Sequence, residues 1–298
     1  MSKKKKNKKY TGQLSQKRPE SFYSFSKCVK ILKKSVYLIA RGRKTLNKKE
    51  LTTLVTLGSG FVGAPNRFIT AAHVIDDPKK SNITQHQDGD KYYLLKHDDV
   101  NKWHLHIFEP KINKDIFIYP DVDLSIIYLS DSFYQLNDKI FVDKNDFIRI
   151  YRDFLPIGTE IGVLGYPLCK LEFKDHDINK PKIGNVLLRT DKGVVNCRYK
   201  TSKVKSLYEF TLSFNPGNSG GPIFDIKTGR LISIATGYKS FPINQKEVEI
   251  PEKVRKNFQT YKNKSYIETI HAIYSIGIAT PSFTEILDKH NVCQGTVL

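Results

Sequence analysis

Apolar residues in this chain fall in short runs, many β-branched or aromatic, separated by glycine, proline, asparagine, aspartate and lysine. Short runs bounded by turn formers read as strands. The pattern predicts strands at Ser35–Ala40, Leu51–Leu57, Tyr92–Leu95, Trp103–Phe108, Leu124–Leu129 and Glu160–Gly165. It predicts more at Asn185–Leu188, Gly193–Cys197, Tyr208–Leu212, Pro222–Phe224, Arg230–Thr236 and Ser275–Ala279. So many strands with so few helices point to an all-β fold of closed antiparallel barrels, which leave no exposed edges. A helix is expected at Pro281–Lys289, with Ser282 as its cap and Glu285 three positions on. Near the other end, Pro19–Lys34 mixes Phe22, Tyr23, Phe25, Val29, Ile31 and Leu32 with lysines. It reads as an amphipathic helix that packs on the barrel or on a partner. Two stretches read as insertions that shape a cleft or merely decorate it. They are Asp76–Tyr119 and the Lys- and Glu-rich Ile243–Thr269, helical in look from Glu252 to Tyr261.

The length of 298 residues suffices for two small barrels, and a hydrophobic fraction of 39% is ordinary for a soluble protein. The charge is uneven. Residues 1–50 hold 17 Lys or Arg and two Glu, a net +15, so the rest supplies only +4 of the formal +19. The head, Lys3–Lys9, reads as a disordered low-complexity segment. It suits an acidic or nucleic-acid partner bound through counterion release, or serves only as a solubilising tail. No apolar run is long enough for a membrane span or a signal peptide, so a cytoplasmic location is expected. Cys28, Cys169, Cys197 and Cys293 lack metal-ligand spacing, and reduced thiols are expected of them. No metal or cofactor is expected.

Three segments carry chemistry. Phe214-Asn215-Pro216-Gly217-Asn218-Ser219-Gly220-Gly221-Pro222 sets a serine among glycines, where its hydroxyl can stand exposed and nearby amides can converge on one point. Phe68-Ile69-Thr70-Ala71-Ala72-His73 follows a strand-like run in which Gly58, Ser59 and Gly60 permit close backbone contact. Pro120-Asp121-Val122-Asp123-Leu124 opens an apolar strand with an acid. A nucleophilic serine needs a base, and the base needs an acceptor that fixes its tautomer. Histidine suits the base because its pKa lies near neutrality. Taken singly, each segment has a plain reading: a turn, one of eight histidines, an Asp capping a turn. Together, in the order His, Asp, Ser, they point to a triad.

These residues resemble the chymotrypsin-fold serine proteases, most closely the bacterial trypsin-like branch that includes the HtrA/Deg proteases. The likeness rests on Thr70-Ala71-Ala72-His73, Asp123-Leu124-Ser125 and Asn215-Pro216-Gly217-Asn218-Ser219-Gly220-Gly221-Pro222. Lesser matches are Gly162–Pro167, Gly229–Ile234 and Ile276–Pro281, and the whole extends over roughly Ser35–His290. The resemblance implies a double six-stranded antiparallel β-barrel with a short C-terminal helix. Residues 1–34 would be a basic extension, residues 35–135 the first barrel and residues 136–298 the second.

The resemblance also assigns roles. Ser219 would be the nucleophile, His73 the general base and acid, and Asp123 the orienting carboxylate, with Asp121 its competitor. The amides of Gly217 and Ser219 would form the oxyanion hole. Ser213 and Phe214 would lie at the base of the specificity pocket, with Ala235, Thr236 and Gly237 in one wall and Gly277–Ala279 in another. None is charged, so cleavage after uncharged side chains is expected. Animal digestive members carry an aspartate where this chain has Asn218; a neutral amide cannot pair with a new N-terminus, so activation by clipping is not expected. Little chain follows the closing helix, so no PDZ module is expected. The expected function is an intracellular serine endopeptidase acting on a protein substrate through an acyl-enzyme, of narrow specificity or held in check by a partner. The rivals are a protease-fold binding or scaffold protein and a nucleic-acid-binding protein that uses the basic head. No zinc finger, helix-turn-helix or aromatic RNA-binding signature favours the last.

Overall fold

The computed structural model describes residues 24–44, 51–76, 86–87, 89–97, 103–129, 135–136, 139–140, 147–169, 171–173, 181–183, 186–202, 205–249 and 265–292. The lysine-rich head and Cys293 lie outside the described residues. The first described element is a helix, α1 (Phe25–Leu32). Ser24 begins it, its hydroxyl accepting from the Lys27 amide at 3.3 Å, as an N-cap does. Of the apolar residues expected on its inner face, Leu32 is buried and Phe25 and Val29 are half-buried, together with Cys28; Ile31 is exposed, as are Lys27 and Lys30, and Phe22 and Tyr23 lie outside the described residues.

The chain then builds one antiparallel sheet. Its strands are β1 (Val36–Lys44), β2 (Leu51–Ala64), β3 (Arg67–Thr70), β4 (Lys91–His97), β5 (Trp103–Phe108), β6 (Ile116–Tyr119) and β7 (Leu124–Tyr128). They lie in the order β5-β4-β1-β2-β3-β7-β6, seven strands in all. A one-turn helix, α2 (Ala72–Ile75), follows β3. The span from Asp76 to Tyr119 is therefore more than an insertion. It supplies β4, β5 and β6, and Tyr92, Tyr93, Leu94 and Leu95 of β4 are core residues paired with β1.

The second unit closes on itself. After the short pair β8 (Gln135–Leu136) and β9 (Lys139–Ile140) come β10 (Glu160–Gly165), the small hairpin β11 (Leu171–Phe173) and β12 (Pro181–Ile183), and β13 (Arg189–Lys200). Then follow β14 (Ser206–Phe210), β15 (Pro222–Asp225), β16 (Leu231–Glu249) and β17 (Ser265–Ala279). Six of these form a closed barrel in the order β10-β13-β14-β17-β16-β15. The chymotrypsin-like, mostly-β architecture inferred from the sequence is the one present. Several strand limits differ; β2, expected to end at Leu57, runs on to Ala64. Val186–Leu188 is irregular, and the strand begins at Arg189. β16 and β17 also run on past the barrel as a ribbon, paired as far as Glu249 with Ser265. Residues 252–261, expected to be helical, lie outside the described residues.

A short helix, α3 (Thr284–Lys289), ends the described chain. Ser282 does not cap it. Its hydroxyl instead accepts from the Ser206 amide at 2.8 Å, and the residue before the helix is Phe283, which makes no side-chain cap. A tight turn over Thr280–Ser282 draws the serine toward β14 before the helix starts.

One core cluster spans both units. It joins Tyr37, Phe68 and Ile126 of the sheet to Leu164, Tyr166 and Phe224 of the barrel and to Leu287 and Val292 at the end of the chain. A second cluster, with Ile161, Val163, Tyr208, Phe210 and Ile223, fills the barrel itself. α1 lies on the barrel. The Phe25 ring stacks on Phe224 with centroids 6.2 Å apart, and the Cys28 thiol donates to the Ile226 carbonyl at 3.2 Å. Burial, then the charge of Asp225, pushes the Cys28 thiol up to about 11, so it stays protonated at neutral pH. α3 is fastened to the other unit. The His290 ring bonds the hydroxyls of Tyr119 at 2.5 Å and Tyr128 at 2.7 Å, and its carbonyl accepts from Arg67 Nε at 2.9 Å.

Phe224 is fully buried and carries both the helix contact and part of the shared core. Phe224→Ala is expected to destabilise the fold by about 3–5 kcal/mol, as for other buried aromatics truncated to alanine. Urea denaturation followed by circular dichroism measures this; a loss below 1 kcal/mol would mean that α1 docking does not depend on that ring.

Candidate active site

His73 is the second residue of α2, a turn entered through the small residues Ala71 and Ala72, both buried. Asp123 follows a tight turn at Pro120–Val122, with φ 46° and ψ 48°, in the left-handed region that aspartate tolerates better than most residues. That turn points the carboxylate at His73. Asp123 Oδ2 lies 2.9 Å from His73 Nδ1, and Oδ1 accepts from the His73 backbone amide at 3.0 Å. The carboxylate thus fixes both the ring and the backbone that carries it. Nδ1 bears the proton in this arrangement, which leaves Nε2 as the free lone pair. Asp121 is exposed, two residues away, and takes no part in this pair.

Asn215–Gly221 forms two successive turns that share Asn218. The Asn218 amide donates to the Asn215 carbonyl at 3.0 Å, with Pro216 and Gly217 between them and Gly217 at φ 102°. Proline second and a positive-φ glycine third is the signature of a type II turn. The Gly221 amide then donates to the Asn218 carbonyl at 2.9 Å around Ser219 and Gly220. The Gly220 amide is taken by the Ala235 carbonyl at 2.7 Å. The turns therefore use the amides of Asn218, Gly220 and Gly221. Those of Gly217 and Ser219 alternate with them and donate to nothing among the described residues.

Ser219 is half-buried, and its hydroxyl donates to the Thr236 carbonyl at 3.4 Å. That carbonyl is available because β16 bulges there. Ala235 pairs with Gly277 and Gly237 with Ile276, so Thr236 is the extra residue. A bond of 3.4 Å is at the weak limit for a hydroxyl. The Ser219 turn itself is held against the first unit, since the Ser59 amide donates to the Ser219 carbonyl at 2.8 Å.

The residues expected at the specificity pocket are only partly brought together. Ser213 lines a cavity of about 180 Å³ with Asn215, Asn218, Val163, Pro167 and residues 189–191. Ala235, Thr236 and Gly237 do not line it. Asp191, which nothing in the sequence marked, reaches Ser213, its Oδ2 accepting from the Ser213 amide at 2.9 Å. Its Oδ1 accepts from the Lys192 amide at 2.8 Å. Asp191 and Ser213 are 22 positions apart, so only the fold reveals the contact. The other side of the segment is tied down as well. Ser275 Oγ accepts from the Phe214 amide at 3.0 Å and donates to the Leu212 carbonyl at 2.6 Å.

Among the described residues, no three His, Cys, Asp or Glu side chains cluster as metal ligands, and no helix is long and apolar enough to cross a membrane. Cys28, Cys169 and Cys197 are free thiols.

A model of the trypsin-like peptidase domain matches residues 58–234, more than half of the chain, from within β2 to within β16. No curated protein matches the chain. Among solved structures, the active form of the Rv3671c protease from M. tuberculosis is similar at 15% identity, covering 91% of this chain and 85% of that one, with a TM-score of 0.48. An inactive alanine mutant of the same protease matches at 16% identity over 91% of this chain and 93% of that one, with a TM-score of 0.45. On the family match, this chain belongs to the trypsin-like peptidase family and is a serine endopeptidase of the chymotrypsin fold.

Proposed function

We propose that the chain hydrolyses peptide bonds in protein substrates through Ser219, His73 and Asp123, by way of an acyl-enzyme. The observation that carries this reading is the His73–Asp123 pair, bonded at both the ring and the backbone, in a fold whose serine turn leaves two alternate amides unused. Rotation about one side-chain bond frees the Ser219 hydroxyl from its weak contact with Thr236. The Oγ then attacks the substrate carbonyl carbon, and its proton passes to His73 Nε2. Asp123 stabilises the imidazolium that forms. The amides of Gly217 and Ser219 receive the developing oxyanion, a contribution of about 3–4 kcal/mol per donor. Collapse expels the amine, which leaves with the proton from His73. Water, deprotonated by the same histidine, then releases the acid and restores Ser219. Asn218 beside the nucleophile fits the HtrA/Deg-like branch, and no ion pair to a freed N-terminus is needed for this cycle.

Active-site labelling tests the assignment. A fluorophosphonate probe is expected to label the wild-type chain and to leave Ser219→Ala unlabelled, and Ser219→Ala and His73→Ala are expected to lose peptide hydrolysis while keeping their circular dichroism spectra. Turnover at the wild-type rate by either variant would overturn the triad.

The acid has its own test. Asp123→Asn is expected to lower kcat by about 10⁴-fold, because the amide permits the wrong histidine tautomer. Asp121→Asn, at an exposed position off the pair, is expected to stay within a few-fold of wild type. The reverse ranking in steady-state kinetics would move the role to Asp121.

For specificity, the proposal is cleavage after uncharged side chains, small or medium apolar ones first. Ser213, Phe214, Ala235, Thr236 and Gly237 bring no charge to balance a buried Lys or Arg. Asp191 is the one acid bonded at Ser213, but its two oxygens already accept from backbone amides, and Arg189 lines the same cavity. Profiling wild type and Asp191→Asn on a mixed peptide library decides this. The expected result is the same uncharged preference in both; a Lys or Arg preference that vanishes in Asp191→Asn would make Asp191 the determinant instead.

A further inference from the structure

Both residues whose amides stand unused in the serine turn have their carbonyl oxygens bonded to one residue of the other unit, Ser59. The Ser59 amide donates to the Ser219 carbonyl at 2.8 Å, and the Ser59 hydroxyl donates to the Gly217 carbonyl at 2.6 Å. That hydroxyl also accepts from the Tyr166 amide at 2.8 Å, so both its hydrogen and a lone pair are engaged. Ser59 is fully buried in β2, and its own carbonyl accepts from Thr70 Oγ1 at 2.7 Å, three residues before His73.

We infer that Ser59 is a positioning residue that holds the Gly217 and Ser219 amides in register with His73, acting through its hydroxyl rather than on the substrate. The inference rests on the peptidase reading given above. Gly217 sits at φ 102°, a conformation that glycine leaves easily, because it has no side chain to confine it. Two bonds confine it instead. The Pro216 carbonyl accepts from the Leu168 amide at 2.8 Å and fixes the peptide before Gly217. The Ser59 hydroxyl fixes the peptide after it. Removing that hydroxyl leaves the Gly217 carbonyl and the Tyr166 amide without this buried partner and lets one side of the turn rotate. A donor displaced by a fraction of an ångström stabilises the tetrahedral state far less, while binding of the ground-state peptide is untouched.

The effect is therefore confined to steps that develop an oxyanion. Ser59→Ala is expected to lower kcat by about 10- to 100-fold, less than deletion of a donor itself, with KM within twofold of wild type. The affinity for a peptide boronate, which is tetrahedral when bound to serine, is expected to fall by the same factor. The pH profile of kcat/KM is expected to keep its wild-type midpoint, since the His73–Asp123 pair is intact. Phe25→Ala, which weakens the α1 contact away from the turn, serves as a destabilised control and is expected to keep wild-type kcat at a temperature below its own melting. A Ser59→Ala enzyme with kcat within twofold of wild type overturns the inference, and so does a rise in KM at unchanged kcat. Should Ser59→Ala fail to fold, Ser59→Gly, which also lacks the hydroxyl and adds no bulk, takes its place with the same expected losses. Failure of the wild-type chain to react with the boronate or a fluorophosphonate would instead overturn the peptidase reading, and this inference with it.

Discussion

The serine turn lies backbone-to-backbone against strand β2, and the catalytic geometry depends on that contact. A Cβ on Gly220 would fall 2.2 Å from the Ser59 carbonyl and 2.1 Å from Thr70 Oγ1; one on Gly58 would fall 2.7 Å from the Ser219 carbonyl. Neither is a distance at which real atoms coexist. Any side chain at either place pushes the turn off the strand and separates Ser219 from the unit that carries His73. The main-chain groups across this seam come within hydrogen-bond distance because glycines on both sides leave room for it. The His73–Asp123 pair is set within the first unit and the two free amides within the second. This seam, together with the core shared by both units, fixes the relation between them through main-chain groups and the Ser59 side chain.

This explains why the chemistry was so visible in the sequence and its support was not. Local geometry writes local signals. Pro216 followed by Gly217 announces a turn, and the small residues Ala71 and Ala72 mark a tightly packed approach to His73. Ser59 lies 158 positions from Gly217, so nothing in its own neighbourhood reveals what its hydroxyl does. Sequence alone credited that stretch with close backbone contact, which is correct, and missed the side chain. Asp191 escaped notice for the same reason. It stands among the polar residues Arg189–Lys192 that open their strand, and its partner Ser213 lies just past β14, which pairs with that strand.

Misjudged elements have physical causes as well. The span between His73 and Asp123 looked like an addition because its charged and polar residues dilute the apolar signal. Yet Tyr92 to Leu95 are all core, since β4 is covered on both faces and need not alternate. The ribbon formed by β16 and β17 beyond the barrel satisfies its own backbone bonds, so its register needs no apolar pattern, and a stretch rich in Lys and Glu can hold it. Ser282 had the residue type and spacing of a helix cap, but a tertiary partner, the Ser206 backbone, competed for its hydroxyl and won.

The two ends of the described chain are crossed over: α1, which precedes the first unit, is docked on the barrel, and α3, which follows the barrel, is docked on the first sheet. Each unit therefore holds a strap belonging to the other. Neither can melt alone without tearing its neighbour's strap away, which couples them into a single cooperative transition. The same crossing orders events during synthesis. The first sheet carries the histidine and aspartate, but its His290 strap is made only after the barrel, and α1 waits some two hundred residues for Phe224. Contacts so distant in sequence close late. A fold strapped in this way brings its two units into register only once both have been made.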